Sequence, residues 1–300
     1  MRPDVLTELS AIIAAHARPD MTTPVDGLYV SKVDTSEPEG QSLTSPLLVV
    51  MAQGGKRVLL GDQVLEYRAG QCLVVTATLP VTGNFLASPQ VPALAMGLVL
   101  RPEAIAPLLL QARAGRAAEP AIATGTAGPD LLDAVVRLLR LLDHPEDVPV
   151  LAPLVEREIL WRLLTGPHGG MIRQIGLADS ALAHVNRVIQ WIRDNYAEPM
   201  RVDDLSRLAG MSPSALHRRF RAVTAMSPLQ YQKRIRLQEA RSLLVAGAGD
   251  VVGVAHLVGY DSPTQFNREY RRLFGAPPGR DAARLRAGQA VSASPAVSAE

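Results

Sequence analysis

The 300-residue chain has one cysteine, Cys72, so no disulfide can form within it. That fits a reducing compartment. Aromatic residues are scarce, at 4 %, which leaves Leu, Val and Ala to build the cores. No apolar run approaches the roughly 18 residues that a membrane span needs. The opening stretch MRPDVLTELSAIIAAHARPD is too acidic, and its apolar run too short, for a secretory signal. A cytoplasmic protein is expected. Histidine is missing between Pro24 and Arg101, which removes the ligands of a His-based metal centre from that segment. There is no Gly-x-Ser-x-Gly elbow and no phosphate-loop lysine. In Gly247-Ala-Gly-Asp-Val-Val-Gly253 the last glycine falls one position late for a dinucleotide fingerprint, and no βαβ context surrounds it. It reads as a loop. No catalytic centre, metal or cofactor is expected.

What is present is a charge asymmetry. From His184 to Arg286 there are 17 Lys/Arg and 9 Asp/Glu, a surplus of 8 positive charges, although the whole chain carries only +2. The remainder is net acidic. A basic C-terminal third beside an acidic remainder points to a polyanionic partner for that third.

Residues 1–22 read as a short helix and a loop. Over 23–100 the runs LLVVM (47–51), KRVLL (56–60), CLVVT (72–76) and LAMGLVL (94–100) are short and bounded by Gly, Pro, Asp or Asn. They predict an antiparallel sandwich or barrel, with tight turns at Gly54-Gly55 and Gly61-Asp62. Residues 101–128 are transitional. Leu131, Leu132, Val135, Leu138, Leu139 and Leu142 then keep helical period, as do Leu154, Val155, Ile159, Leu160, Leu163 and Leu164. Both stripes are wide enough to cover the sandwich and to form a dimer seam. Residues 168–183 read as a linker and 287–300 as a disordered tail. Cys72 reads as a buried apolar side chain, with a reactive thiol as the sharper alternative. Lys56 and Arg57 read as surface charge, with an anion site as theirs.

An internal repeat occupies the basic third. Leu205-Ser-Arg-Leu-Ala-Gly210 aligns with Val254-Ala-His-Leu-Val-Gly259. Ser212-Pro-Ser-Ala-Leu-His-Arg-Arg-Phe220-Arg aligns with Ser262-Pro-Thr-Gln-Phe-Asn-Arg-Glu-Tyr270-Arg at an offset of 50 residues. Each copy is a short helix, a glycine turn and a second helix opened by Ser-Pro, the anatomy of a helix-turn-helix. Ser212 and Ser262 suit the N-cap, and Pro213 and Pro263 the first helical position. Gly210 and Gly259 suit the left-handed residue that ends the first helix.

The second helix of each copy divides into two faces. Leu216, Phe220 and Val223 belong to a core, as do Phe266, Tyr270 and Leu273. The opposite face carries Ser214, His217, Arg218 and Arg221 in one copy and Thr264, Asn267, Arg268 and Arg271 in the other, at identical spacing. Hydroxyl, imidazole, amide and guanidinium groups address base edges in a major groove. Arg221, Arg271 and Arg272 lie further along and suit phosphate contacts, which position without specifying. Between the copies, a helix from Ser227-Pro228 to about Ala246 has a length of about 27 Å. A rod of this length suits two recognition helices spaced by about one DNA turn, some 34 Å. Its Lys233, Arg234, Arg236 and Arg241 are expected to face solvent or phosphate.

These residues, VDDLSRLAGMSPSALHRRFRAVTAMSPLQYQKRIRLQEARSLL followed by VGYDSPTQFNREYRRLFGAPPGRD, strongly resemble the AraC/XylS family of bacterial transcription regulators over about 184–286. The resemblance implies a seven-helix DNA-binding domain that contacts two adjacent major grooves. By position, Ser214, His217 and Arg218 match the base-facing residues of the first recognition helix, and Thr264, Asn267 and Arg268 those of the second. The Gly-rich stretch 247–253 departs from the pattern and is expected to loosen the first helix of the second copy. TPVDGLYV (23–30), LLVVMAQGGKRVLLGD (47–62) and CLVVTATLPVTG (72–83) resemble the N-terminal sensing domain of one AraC-family branch. That implies a cupin-like β-sandwich over 23–167, followed by helices that often dimerise.

The expected whole is an α+β protein of two domains, with an effector-binding sandwich and an all-α DNA-binding domain over 184–286. Its expected partners are a double-stranded DNA operator, a small-molecule effector, RNA polymerase and a second copy of the chain. Activation is expected because most of the family activates. A constitutive DNA-binding dimer without ligand is the alternative, and an enzyme built on the sandwich the more remote one.

Overall fold

A computed structural model describes residues 4–36, 40–112, 120–177 and 180–292. The chain divides into two compact units, Met1–Arg187 with Ser206–Ser227, and Val188–Leu205 with Pro228–Glu300.

The first unit opens with helix α1 (Val5–His16), whose Leu9 and Ile13 are fully buried. Four residues apart, they share one helix face, and each buried side chain is worth about 1.5–3 kcal/mol. Among the described residues nine strands follow: β1 (Leu28–Val33), β2 (Gly40–Thr44), β3 (Leu47–Gln53), β4 (Gly55–Leu60), β5 (Gln63–Arg68), β6 (Gln71–Val75), β7 (Leu79–Leu86), β8 (Ala93–Val99) and, later in the chain, β9 (Ile122–Thr126). They form a five-stranded sheet, β1-β8-β3-β6-β9, and a four-stranded sheet, β2-β7-β4-β5. Every pairing is antiparallel. Val30, Met96, Val50 and Cys72 lie in one cross-strand row of the larger sheet and are all fully buried. Side chains alternate along a strand, so the next row, Tyr29, Gly97 and Val49, looks the other way. The four runs singled out in the sequence are β3, β4, β6 and β8. β1, β2, β5, β7 and β9 were not singled out; Pro80 and Gly83 interrupt the apolar pattern of β7, and Gly125 that of β9.

Helices α2 (Pro102–Leu109), α3 (Pro129–Arg140), α4 (Val148–Thr165) and α5 (Gly169–Gly176) complete the first unit's N-terminal part. The segment 101–128 is thus more than a transition: α2 and β9 lie in it, while 113–119 fall outside the described residues. The expected linker 168–183 likewise contains α5, whose Met171, Ile172 and Ile175 are buried and which packs on α2. In α4 the periodic leucines split between two faces. Ile159, Leu160, Leu163 and Leu164 are buried, whereas Leu154 is 62 % exposed beside Val150 and Leu151.

From there the described chain is helical: α6 (Ala181–Asp194), α7 (Val202–Ala209), α8 (Pro213–Thr224), α9 (Pro228–Ala246), α10 (Val251–Leu257), α11 (Pro263–Phe274) and α12 (Pro278–Ser292). The seven helices are those the family resemblance implied. α12 reaches Ser292, so residues 287–292 are helix where a disordered tail was expected, and 293–300 lie outside the described residues. Among the described residues no helix is long and apolar enough to cross a membrane.

Candidate nucleic-acid interface

Each copy of the repeat folds as its punctuation dictates. The Ser212 hydroxyl accepts from the Ala215 N–H at the start of α8, and the Ser262 hydroxyl accepts from the Gln265 N–H at the start of α11. Gly210 and Gly259 take φ of +62° and +86°, a region that L side chains rarely occupy. At Gly259 a Cβ would also collide with the carbonyl oxygen of Ala197. The Gly-rich stretch before α10 leads into a capped helix. The Asp250 carboxylate accepts from the Gly253 N–H at 2.7 Å and caps the helix, replacing with one side chain the order that the glycines remove.

The core faces are the expected ones. Leu216 and Phe220 are fully buried and Val223 nearly so. In the second copy Phe266 and Tyr270 are buried, Leu273 half-buried. An aromatic run, Tyr260, Phe266, Tyr270 and Phe274, has successive ring centroids 5.3, 5.5 and 4.5 Å apart.

The opposite faces are open. Ser214, His217, Arg218 and Arg221 are exposed on α8, and Thr264, Asn267, Arg268, Arg271 and Arg272 on α11. Among the described residues no carboxylate pairs with any of these five arginines. Ser214 shares a 3.4 Å hydroxyl contact with Ser212, and the Asn267 amide donates to the Pro263 carbonyl at 2.9 Å. The Asn267 amide carries a second N–H besides the one given to Pro263. Asn267, Arg268, Arg271, Arg272 and Pro277 surround a shallow concavity. Cationic side chains with no internal partner keep their charge available to an external anion.

The connecting helix α9 corrects the sequence reading. Its basic residues were expected to face solvent or phosphate, but three are bound inside the second unit. Arg236 donates to the carbonyls of Tyr196 (2.6 Å), Gly259 (2.7 Å), Ala197 (3.0 Å) and Glu198 (3.1 Å). Burial pushes its pKa below the usual arginine range. Lys233 pairs with Glu269 at 3.1 Å, and Glu269 also accepts from Tyr260 Oη and Gln265 Nε2. Arg241 pairs with Asp281 at 2.8 Å and lies over the Phe274 ring. Asp281, wholly buried, accepts further bonds from Arg284 and from Tyr270 Oη. Burial works to raise its pKa, but the bonds from Arg241 and Arg284 outweigh this and hold the carboxyl below the usual range. Lys233, Arg236 and Arg241 thus hold α9 to α10, α11 and α12, whereas the arginines of the open faces of α8 and α11 are not held in this way. The Ser227-Pro228 opening located α9 in the sequence, but nothing in one sequence marks an arginine as partnered by backbone carbonyls.

Cys72 is buried, with its Sγ 3.8 Å from His168 Nε2. Burial pushes the thiol up to about 11, against the lowering effect of a backbone hydrogen bond from Gly125. The thiol stays protonated at neutral pH, and the bland reading of this residue is the one the geometry supports.

Comparison with known proteins agrees with this arrangement. Residues 24–171 match the family described as AraC-type transcriptional regulator N-terminus, and residues 205–284 match a helix-turn-helix domain family. The HTH-type transcriptional regulator ExsA of Pseudomonas aeruginosa is 30 % identical over 161 residues, covering 54 % of this chain and 57 % of ExsA. The HTH-type transcriptional activator RhaS of Escherichia coli is 28 % identical over 148 residues, covering 49 % of this chain and 53 % of RhaS. The chain thus spans about half the length of the curated relatives it matches. Among solved structures, ToxT of Vibrio cholerae with unsaturated fatty acid bound superposes with a TM-score of 0.57 over 85 % of this chain and 93 % of ToxT, at 9 % identity. That likeness is one of fold alone. With both family matches present in order along one chain, the protein belongs to the AraC family of DNA-binding transcription regulators.

Proposed function

We propose that the chain reads a DNA operator with two recognition helices, α8 and α11, under the control of a small molecule held in the N-terminal sandwich. The carrying observation is the duplicated open face. Two helices with matching caps and buried cores each present a hydroxyl, a hydrogen-bonding side chain and an arginine, at the same spacing, with the arginine free of internal partners. Ser214, His217 and Arg218 address bases from α8, and Thr264, Asn267 and Arg268 from α11. Arg221, Arg271 and Arg272 hold phosphates.

An effector shifts such a protein only by binding its two states unequally. ToxT, which shares the fold, has been solved with an unsaturated fatty acid bound, and the sandwich of this chain has a cavity of its own, partly open to solvent. The proposed regulator activates transcription, as the name of RhaS records for that relative, and its proposed partner in doing so is RNA polymerase. It acts as a homodimer, for which the exposed Val150, Leu151 and Leu154 on α4 offer an apolar seam.

Arg218→Ala and Arg268→Ala test the base-reading assignment. Selection of random duplexes by each purified variant should show selectivity relaxed at one base position and affinity lower by about 1–3 kcal/mol. If affinity and sequence preference are both unchanged in both variants, these faces do not read bases.

A further inference from the structure

Lys56 was read from sequence as surface charge. The structure turns it inward, whereas its neighbour Arg57 pairs with Glu66 at 3.0 Å on the outer face. In the four-stranded sheet Lys56 stands directly opposite Tyr67 on β5 and directly opposite Phe85 on β7. The three side chains form one row across the sheet and line a cavity of about 350 Å³ between the two sheets. The rest of the lining mixes apolar or small groups, Leu47, Val49, Ala95 and Gly97, with the hydroxyls of Ser31 and Thr44. The cavity volume lies at the small end of the roughly 300–1,000 Å³ of ligand sites.

Two polar groups of this row lack an ionic or hydrogen-bonding complement. Among the described residues no carboxylate pairs with Lys56, whose Nζ lies 4.4 Å from the centre of the Phe85 ring. Burial pushes its pKa below the usual lysine range, with no acidic group opposing the shift. Tyr67 is fully buried and its Oη has no hydrogen-bond partner. An unpaired cation and an orphaned hydroxyl are both costly in such a place. Both are relieved by one occupant that brings a negative charge and a second acceptor atom.

We infer that the sandwich cavity is a binding site for a small organic monocarboxylate with an apolar body, its carboxylate oxygens taken by Lys56 Nζ and Tyr67 Oη. Residues directly opposite on antiparallel strands have Cβ atoms about 4.5–5.5 Å apart, so both donors can reach one carboxylate. One ammonium matches one negative charge. A phosphate dianion would keep one charge that no second cation of the lining compensates. The apolar part of the lining accepts the remainder of the molecule, and Phe85 bounds it beside the charged end.

The inference deepens the effector half of the proposed function and rests on it for its regulatory meaning. The test is isothermal titration of the full-length protein with octanoate and phenylbutyrate, and with octanamide and octanol as neutral counterparts. The acids should bind one per chain, at least about tenfold tighter than the neutral compounds. Lys56→Met should weaken the acids by about ten- to a hundredfold, the range of a hydrogen bond to a charged group. It should leave the ligand-free melting temperature unchanged or higher, because it removes a desolvated charge. Gly97→Val, at a position where a Cβ makes only ordinary contacts with Leu47, should weaken acids and neutral compounds alike by filling the cavity.

The site is overturned if neither acid binds, if octanamide binds as well as octanoate, or if Lys56→Met leaves acid affinity unchanged. It is also overturned if Lys56→Met fails to fold, which would make the lysine structural. A protein that protects operator DNA but binds neither acid loses this site and keeps its DNA-reading function. One that binds octanoate through Lys56 but protects no DNA does the reverse.

Discussion

Replacing Arg236 separates a structural arginine from a DNA-binding one. Its guanidinium donates four hydrogen bonds to backbone carbonyls of Tyr196, Ala197, Glu198 and Gly259. Hydrogen bonds to a charged group contribute roughly 1.5–3 kcal/mol each, but four from one head are not additive, and water can reach part of the site once the side chain is gone. The cost expected for Arg236→Ala is therefore about 3–5 kcal/mol, the range seen when one partner of a buried charged network is removed. Arg236→Lys should recover less than half of it, because a single ammonium cannot span carbonyls on both the 196–198 loop and the Gly259 turn. Urea unfolding of the full chain, followed through Trp191 with Trp161 replaced by Phe, reads the second unit. The salt dependence of DNA affinity supplies the second readout. A phosphate-contacting arginine contributes about 0.9 to the slope of log affinity against log salt, whereas a structural one contributes nothing directly. A stable Arg236→Ala protein with a slope smaller by about 0.9 would refute the assignment.

Three further outcomes follow from the same geometry. Replacing Arg271 and Arg272 by Ala should weaken binding nearly uniformly across sequences and lower the salt slope by about 1 per arginine, as measured by titrations at several salt concentrations. Asp281→Asn should destabilise the second unit by about 3–5 kcal/mol at neutral pH, since it uncouples Arg241, Arg284 and Tyr270 from one buried carboxylate. Because the folded-state pKa of Asp281 is depressed, its contribution is complete above the unfolded carboxylate pKa of about 3.9. It is lost as pH falls through the lower folded value, so the Asn variant should show a flatter acid limb in its stability profile. Cys72, with its thiol pushed up to about 11, should resist alkylation in the folded protein at mild alkaline pH and react once urea unfolds the chain. Rapid labelling of the native protein would instead reveal an accessible thiolate.

The recognition helices were legible because their signals are local. Ser-Pro openings, turn glycines and the spacing of Leu216, Phe220, Phe266 and Tyr270 are fixed by backbone geometry, and all four of these side chains are fully buried. The repeat added a second, independent copy of the pattern. β3, β4, β6 and β8 were legible as apolar runs. β5 and β7 were not, because half of their residues face a cavity or solvent and the apolar run is broken. Asp250 shows a further limit: a single cap outweighed a glycine-rich approach that composition reads as loose. The internal role of Arg236 and the inward row of Lys56, Tyr67 and Phe85 depend on register between strands or on distant carbonyls. A charged residue on an alternating strand faces in or out according to its partners, which one chain does not reveal.

The central claim is that both recognition helices engage one DNA duplex specifically. Selection of genomic fragments by the purified full-length protein at physiological salt, followed by footprinting of the selected sites, tests it most directly. A discrete footprint across two successive major grooves, shortened on one side by Arg218→Ala and on the other by Arg268→Ala, is the predicted result. Diffuse protection that fades steeply with salt and responds to neither substitution would contradict it.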